Sequence, residues 1–412
     1  MWLLLTFPLL LQWMRISAED ALPVYWNVPS ASCKKMGVNI PLNEFEIIHN
    51  KGDEFLGEKI VIFYEKKFGK CPYYKDYDPK QPINGGLPQN VPIDEHLAIV
   101  EKQINEAIPD ENFNGVAVID IEEWRPLYEM NWGGKNVYRK QSIELARSRY
   151  PKLKKKEIEA IAKKEFNRAS KTFFMRTFKK AIELRPKALW GLYDFPFCNA
   201  KAGDLEGDFE CSNQAQRYND EMDFIYNITR VLYPSIYLNG KKSSEQNFRF
   251  IRIPELTHQA LLKETRRVAN AQQRRLNYYV YTKFEYDPYK SYDWFYGKDD
   301  ICNTMKLPGD LAGSGLVLWS TSKDMKKRCA NIAQFVKRSL GPFLLTIRKQ
   351  SNDCRRIMCS GNGNCVLKKP LKKCYKAMKN LNNYICQCDR GYEEPYCSKK
   401  VKKGYLETNR VF

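Results

Sequence analysis

Histidine is nearly missing from this chain: 412 residues hold three, His49, His96 and His258. No two stand at metal-ligand spacing, which argues against a histidine metal centre and against a Ser-His-Asp triad. A glycine-rich phosphate loop of defined spacing is missing too, and with it that route to nucleotide chemistry. Beyond the first 18 residues no apolar run is long enough to span a bilayer, and no apolar tail offers a lipid anchor. Low-complexity linkers and clean internal repeats are lacking. Neither a metal nor a cofactor is expected.

What is abundant is positive charge and cysteine. Lys and Arg number 68 against 48 Asp and Glu, a net charge of +20. A field of that size draws polyanions by steering and counterion release. The alternative for any one lysine cluster is a solvated face. Residues 1–18 carry the apolar block Trp2–Trp13 followed by the small residues Ser17 and Ala18, and read as a signal peptide rather than a membrane anchor, for which the block is too short. Thirteen cysteines suit an oxidising compartment, and their odd number leaves at least one unpaired or bonded to another chain. On that route Asn227-Ile228-Thr229 is a glycosylation sequon. The expected protein is secreted, extracellular and monomeric, without a transmembrane anchor. Its polyanionic partner is an acidic glycan rather than nucleic acid.

Strand-like apolar runs alternate with helical patterns from about residue 22 to residue 345. The predicted strands are Val24–Trp26, Ile60–Tyr64, Val116–Ile121, Ala188–Tyr193, Ser235–Leu238, Tyr278–Phe284 and Gly315–Trp319. Helices are predicted at Ile93–Ala107, Lys154–Leu184, Pro254–Ala271 and Lys323–Leu340. Repeated β-then-α order implies right-handed crossovers and a parallel sheet, most simply closed into a barrel. In the long second helix Ile158, Ala162, Phe166, Ala169 and Phe173, with Phe174, Phe178 and Ile182, form a stripe that can bury against the barrel wall.

The chemistry-bearing stretch is Asn114–Pro126. Val116–Ile119 is a continuous apolar, largely β-branched run that suits a strand buried on both faces. Alternation then puts Asp120 and Glu122 on one face at the strand's carboxyl end, where α/β barrels place their chemistry. Two carboxylates so close cannot both ionise freely, and one keeps its proton. A protonated carboxyl beside an ionised one can cleave a glycosidic bond. The alternative is a pair that only serves arginine or helix-end partners. Tyr64, Tyr193, Tyr237, Tyr281 and Trp319 fall at or near the carboxyl ends of the predicted strands, where ring faces stack on sugars and phenols bond hydroxyls and amides. One such ring is usually core packing; five at equivalent positions point to a groove.

After Gly341-Pro342 the composition changes. Seven of the thirteen cysteines lie between Cys354 and Cys397, in a stretch too short and polar to build its own core. Cys354-x4-Cys359-x5-Cys365 and Cys386-x-Cys388-x8-Cys397, with Gly391-Tyr392 between the last two, resemble an epidermal-growth-factor-like module. That resemblance implies Cys354–Cys365, Cys359–Cys386 and Cys388–Cys397, with Cys374 outside the pattern. A zinc site is the weaker alternative, because the stretch has no histidine.

V-I-D-I-E-E-W-R-P (118–126), G-G-L-P-Q-N (85–90), L-W-G-L-Y-D-F-P-F-C (189–198), L-Y-P-S-I-Y (232–237) and G-L-V-L-W-S (315–320) together resemble the hyaluronidases, glycoside hydrolase family 56. The likeness runs from about Tyr25 through the cysteine-rich tail and is most similar to secreted, arthropod venom-type members. It implies a distorted (β/α) TIM-like barrel of about seven strands at 19–345, then a small disulfide-rich epidermal-growth-factor-like module and basic tail at 346–412. It implies hydrolysis of β-1,4 bonds between N-acetylglucosamine and glucuronate in hyaluronan, with chondroitin as a further substrate, by a retaining, substrate-assisted mechanism. Glu122 is then the general acid and base. Asp120 holds the acetamido group with Tyr193 and Tyr237, Trp319 lines its pocket, Tyr64 and Tyr281 face the groove, and Ser320 lies beside it. The family's bridges imply Cys33–Cys329 and Cys198–Cys211; a Cys71–Cys302 pair is conceivable from their placement after strands. The family's glucuronate-binding arginine follows L-Y-P-S-I-Y; here the region reads N-F-R-F-I-R-I-P with altered spacing, and Arg252 is assigned over Arg249. A non-catalytic glycosaminoglycan-binding protein on the same scaffold is the alternative function.

Overall fold

The computed structural model describes residues 20–199, 210–242, 244, 260–368, 374 and 381–401. Seven strands are parallel to their neighbours: β1 (Val24–Asn27), β2 (Ile60–Tyr64), β3 (Val116–Asp120), β4 (Leu189–Leu192), β5 (Val231–Leu232), β6 (Asn277–Thr282) and β7 (Gly315–Trp319). They form two ladders, β1-β7-β6-β5 and β2-β3-β4. A parallel bridge between Tyr193 and Tyr233, with Arg230 N donating to Trp190 O at 2.8 Å, joins β4 to β5. On the other side, Ile48 pairs with β1 through bonds of 2.8 Å to Trp26 and Val24. The side chain of buried Asn50 then does what an eighth strand would do. Its Oδ1 accepts from Lys59 N at 2.9 Å and Ile60 N at 3.0 Å, and its Nδ2 donates to Ile60 O at 3.1 Å. The barrel is thus closed by seven strands, an extended segment and one amide.

Period two sorts the strands' side chains. Ile60, Ile62, Val116, Val118, Val231, Tyr233 and Val317 fill the barrel, while Val61, Phe63, Ala117, Ile119 and Leu318 join the larger core under the helices. Gly191 permits the β4–β5 contact: a Cβ there would lie 2.5 Å from Val231 O. The main helices are α1 (Ile93–Ala107), α2 (Asn136–Arg149), α3 (Lys155–Leu184), α4 (Ala260–Ala271), α5 (Met325–Phe335) and α6 (Gly341–Met358). On α3 the buried stripe takes Ser170, while Ala169 and Ile182 are only half-buried.

Three expectations need correction. The fifth strand is Val231–Leu232, not Ser235–Leu238, which keeps only a single bridge from Ser235 to Tyr281. Pro234 lies between them and has no N–H for the ladder. The helix predicted to end at Leu340 does not stop at Gly341-Pro342. The helix from Met325 runs on through a π turn at Val336–Leu340 into α6, and the wider turn accommodates the proline. Cys71 and Cys302 are not paired. Cys302 is bonded to Cys374, and Cys71 is a free thiol buried in the main core.

The remaining bridges are Cys33–Cys329, Cys198–Cys211, Cys354–Cys365, Cys359–Cys386 and Cys388–Cys397. Past α6, an antiparallel hairpin of β8 (Gly363–Leu367) and β9 (Tyr384–Cys388) forms the tail module. It docks through Tyr384, whose hydroxyl donates to Asp310 Oδ1 at 3.2 Å beside the buried Lys306–Asp310 ion pair.

Candidate active site

β3 ends on Asp120, and its last inward position leaves that carboxyl 4 % exposed at the barrel's mouth. Two residues on, Glu122 is exposed. What fixes it is the following Trp124, fully buried against Phe166, Phe173 and Phe174 with ring centroids 5.3–6.0 Å away. Ser170 Oγ donates to Pro126 O at 2.6 Å, and Asn167 Oδ1 accepts from Tyr128 N at 2.8 Å, so α3 grips the segment from behind. Asn131 cross-ties it, accepting from Arg125 N at 2.8 Å and donating to Leu127 O at 2.9 Å. Lys135 Nζ donates to the backbone oxygen of Glu122 at 2.6 Å and meets the Tyr77 hydroxyl at 2.9 Å.

The mouth concentrates negative charge. Burial, then the charges of Glu122, Glu65 and Asp194, push the Asp120 carboxyl well above the usual range, and Arg125 only partly opposes them. No hydrogen-bond partner meets Asp120 Oδ1 among the described residues. Glu65 is also raised, chiefly by burial, and accepts from Glu122 N at 3.3 Å. Asp194 is pushed up to about 6 by burial against the pull of Arg125, whose Nη2 lies 3.6 Å from it.

Aromatic rings wall one side. Trp319 stacks on Tyr237 at 5.7 Å and 19°, and its Nε1 donates to Tyr64 Oη at 3.2 Å. Tyr64 stacks in turn on Phe55. The Tyr193 hydroxyl meets Ser235 Oγ at 3.1 Å, and its ring is 6.2 Å from that of Tyr237. Burial raises both phenols far above neutrality, so each remains a hydrogen-bond donor. Lys283 Nζ sits 5.2 Å over the Tyr237 ring.

Two assigned residues sit elsewhere. Tyr281 is fully buried deeper in the barrel, its hydroxyl donating to Asn27 Oδ1 at 3.2 Å, and does not face the mouth. Ser320 is buried too: its Oγ donates to Glu285 Oε2 at 2.6 Å and accepts from Arg328, so it braces a buried ion pair behind the wall. Arg249 and Arg252 lie outside the described residues. Sequence reasoning missed Glu65, Arg125, Lys135, Asp194 and Lys283. Glu65 and Asp194 were findable, because each follows a strand-end tyrosine already singled out. Lys135 carries no signal.

Neither described histidine takes part here. His49 pairs with Asp53 at 2.9 Å, His96 is fully buried, and His258 lies outside the described residues. Carboxyl groups in unlike surroundings beside flat aromatic faces, at the open end of a parallel α/β barrel, define a glycosidase. The family model described as hyaluronidase, glycoside hydrolase family 56, matches residues 13–408, and the chain belongs to that family. A chondroitin hydrolase of Caenorhabditis elegans is 37 % identical over 94 % of this chain and 82 % of its own. A hyaluronidase of the wasp Polistes annularis is 31 % identical over 80 % of this chain and 88 % of its own. Bee venom hyaluronidase, solved in complex with a hyaluronic acid tetramer, superposes with a TM-score of 0.70 at 30 % identity, over 78 % of this chain and 98 % of that one.

Proposed function

We propose that this chain is a secreted endo-hydrolase of hyaluronan that also cuts chondroitin, acting on β-1,4 bonds between N-acetylhexosamine and glucuronate with retention. The observation that carries it is the pairing of buried Asp120, its Oδ1 without a partner among the described residues, with exposed Glu122 beside the aromatic residues Tyr64 and Tyr193. Glu122 gives its proton to the leaving glycosidic oxygen while the substrate's acetamido oxygen attacks the anomeric carbon and the bond to the leaving sugar breaks. Water then attacks that carbon, Glu122 takes the water's proton, and the acetamido group is restored. The step needs one proton between the two carboxyl groups; with it on Glu122, Asp120 is the anion that holds the acetamido N–H and faces the developing positive charge. Tyr193 and Tyr237 donate to the same group.

The chondroitin reading is supported by the nematode relative's activity. The arthropod venom-type assignment gains no comparable support, since relatives from a nematode, a rattlesnake and a wasp lie at 37 %, 30 % and 31 % identity. Six disulfides favour an extracellular setting, and exposed Asn227 is open to glycosylation. The 1-3, 2-4, 5-6 bonding order of the tail's outer six cysteines supports an epidermal-growth-factor-like module.

The test is incubation of the purified protein with hyaluronan and with unsulfated chondroitin, following chain length and new reducing ends. Shortening that disappears in Glu122→Gln is expected. Retained binding with unchanged chain length would make the protein a glycan-binding relative instead.

A further inference from the structure

The opposite end of the barrel carries a second basic feature. A cleft of about 810 Å³ lies between the starts of β4, β5 and β6, at Leu189, Val231 and Asn277, and the tail module. A strand the length of β6 puts it roughly 17 Å or more from the catalytic mouth. Lys187, Arg230, Arg274, Arg275 and Arg390 line it against one carboxylate, Asp389, which is already paired with Arg355. Arg275 spends one donor on Cys388 O at 2.8 Å, and Lys187 meets Asn112 at 2.7 Å. Arg230, Arg274 and Arg390 meet no carboxylate among the described residues, and the buried Nε of Arg230 has no acceptor. Burial and the neighbouring charges of Arg230 and Arg390 lower the pKa of Arg274, the mark of like charges held together. Tyr392 adds a half-buried ring on the module side.

We propose that this cleft is a second, non-catalytic binding site for an acidic polysaccharide. Arg230, Arg274 and Arg390 take its carboxylate or sulfate groups through their guanidinium forks, and the Tyr392 ring takes a sugar face. Module and barrel would then hold one end of a long chain while the mouth works on another part of it. Only the choice of polymer rests on the proposed activity.

The experiment uses the full chain with Arg230, Arg274 and Arg390 changed together to Gln, and a companion set changed to Lys. Binding is measured in a Glu122→Gln background against long hyaluronan and chondroitin sulfate over a range of salt. The Gln set is expected to bind roughly tenfold more weakly at low salt, with a shallower salt dependence, and the Lys set to recover most of both. A loss equal for both polymers assigns the carboxylates; a larger loss with chondroitin sulfate assigns the sulfates. With Glu122 restored, the Gln set should raise KM for long hyaluronan and leave turnover of a hexasaccharide unchanged. Unaltered affinity and salt slope would overturn the proposal, as would a Lys set as weak as the Gln set. The binding arm reads the cleft even if no hydrolysis is found, so failure of the site and failure of the activity stay distinct.

Discussion

Asp120 and Glu122 stand two residues apart on opposite sides of the solvent boundary: Asp120 is 4 % exposed, its Oδ1 without a partner among the described residues, and Glu122 is open at the barrel's mouth. One strand end therefore supplies two carboxyl groups in unlike surroundings. That difference, more than their proximity, allows them separate work.

The buried member carries a stability cost with a definite sign. Burial first, then Glu122, Glu65 and Asp194, raise Asp120 in the folded chain. A raised folded pKa means that this group's stabilising share is whole below the ordinary aspartate value and is lost as pH climbs through the folded one. Asp120→Asn removes that loss. The variant should melt above the parent at pH 8, with the gap closing toward pH 4, while turnover falls by at least about 100-fold. Melting curves at the two pH values and initial rates on hyaluronan check this. A variant less stable than the parent at pH 8 contradicts it.

Helix α3 positions the catalytic segment through few contacts, so one can be removed cleanly. Ser170→Ala deletes the 2.6 Å bond to Pro126 O, leaving that buried carbonyl short of a donor. A loss of about 1 kcal/mol in stability is expected. Because Glu122 is set by the same segment, kcat should fall several-fold while KM stays near the parent value. A change confined to stability would show that the segment holds itself.

Much of this site was legible in the sequence, for a physical reason. Period two with a continuous apolar run puts Asp120 and Glu122 on one face at a strand's carboxyl end; that Trp124 anchors the segment depends on rings of a distant helix and was not legible. Depth was not legible: alternation puts Tyr281 on the inner face but cannot say that it lies below the mouth. Nor can a local pattern show that Ser320 turns to Glu285 and Arg328, which lie on other segments. The fifth strand was misplaced because the apolar pattern continues across Pro234, while the hydrogen-bond ladder does not. Helix α2 was missed because only Val137, Tyr138, Ser142 and Ala146 of it are buried, too sparse a stripe to stand out. The Cys302–Cys374 bridge joins the barrel to the tail's lysine-rich insertion, a long-range pairing that spacing does not encode.

Lys283 offers a test of acidic-sugar recognition among the described residues. Its ammonium lies over Tyr237, which stacks on Trp319, so it sits on the wall along which a sugar chain would run. Burial lowers its pKa, against the pull of Asp287 and Glu285. Lys283→Met keeps the aliphatic stem and removes the charge. KM for hyaluronan should rise roughly tenfold, in the range of one lost charged hydrogen bond, with kcat little changed. The same substitution should cost nothing on hyaluronan whose carboxyl groups have been reduced to alcohols. An equal loss on both substrates would mean that the lysine serves the wall and not the substrate's charge.

Acid sensitivity should enter through His96, remote from the mouth. The imidazole is fully buried between α1 and α3. Its Nδ1 accepts from Lys70 N at 2.9 Å; Nε2–H therefore donates to Thr177 Oγ1 at 3.0 Å, whose own proton goes to Phe173 O at 2.7 Å. Every position is filled for the neutral ring, and a second proton on Nδ1 would face a backbone N–H. The backbone comes that close because residue 69 is glycine at φ +58°, where a Cβ would lie 2.3 Å from Nδ1. Burial lowers the His96 pKa to about 4. A depressed folded pKa gives stability that is whole above the ordinary histidine value, near 6.5, and is lost as pH falls from there to about 4. The displacement corresponds to about 3 kcal/mol at its full extent. His96 and Thr177 join α1 to the helix that grips Pro126 and Trp124, so loosening this contact reaches the catalytic segment through α3. His96→Gln can still accept from Lys70 N but does not titrate in this window. It should be less stable than the parent at pH 7 by about 1–3 kcal/mol, the cost of imperfectly replaced buried bonds. Its stability should change less between pH 6.5 and 4, so that the two curves converge on acidification. Urea unfolding at pH 7, 5.5 and 4 measures both slopes, and parallel curves would assign the acid loss to other groups.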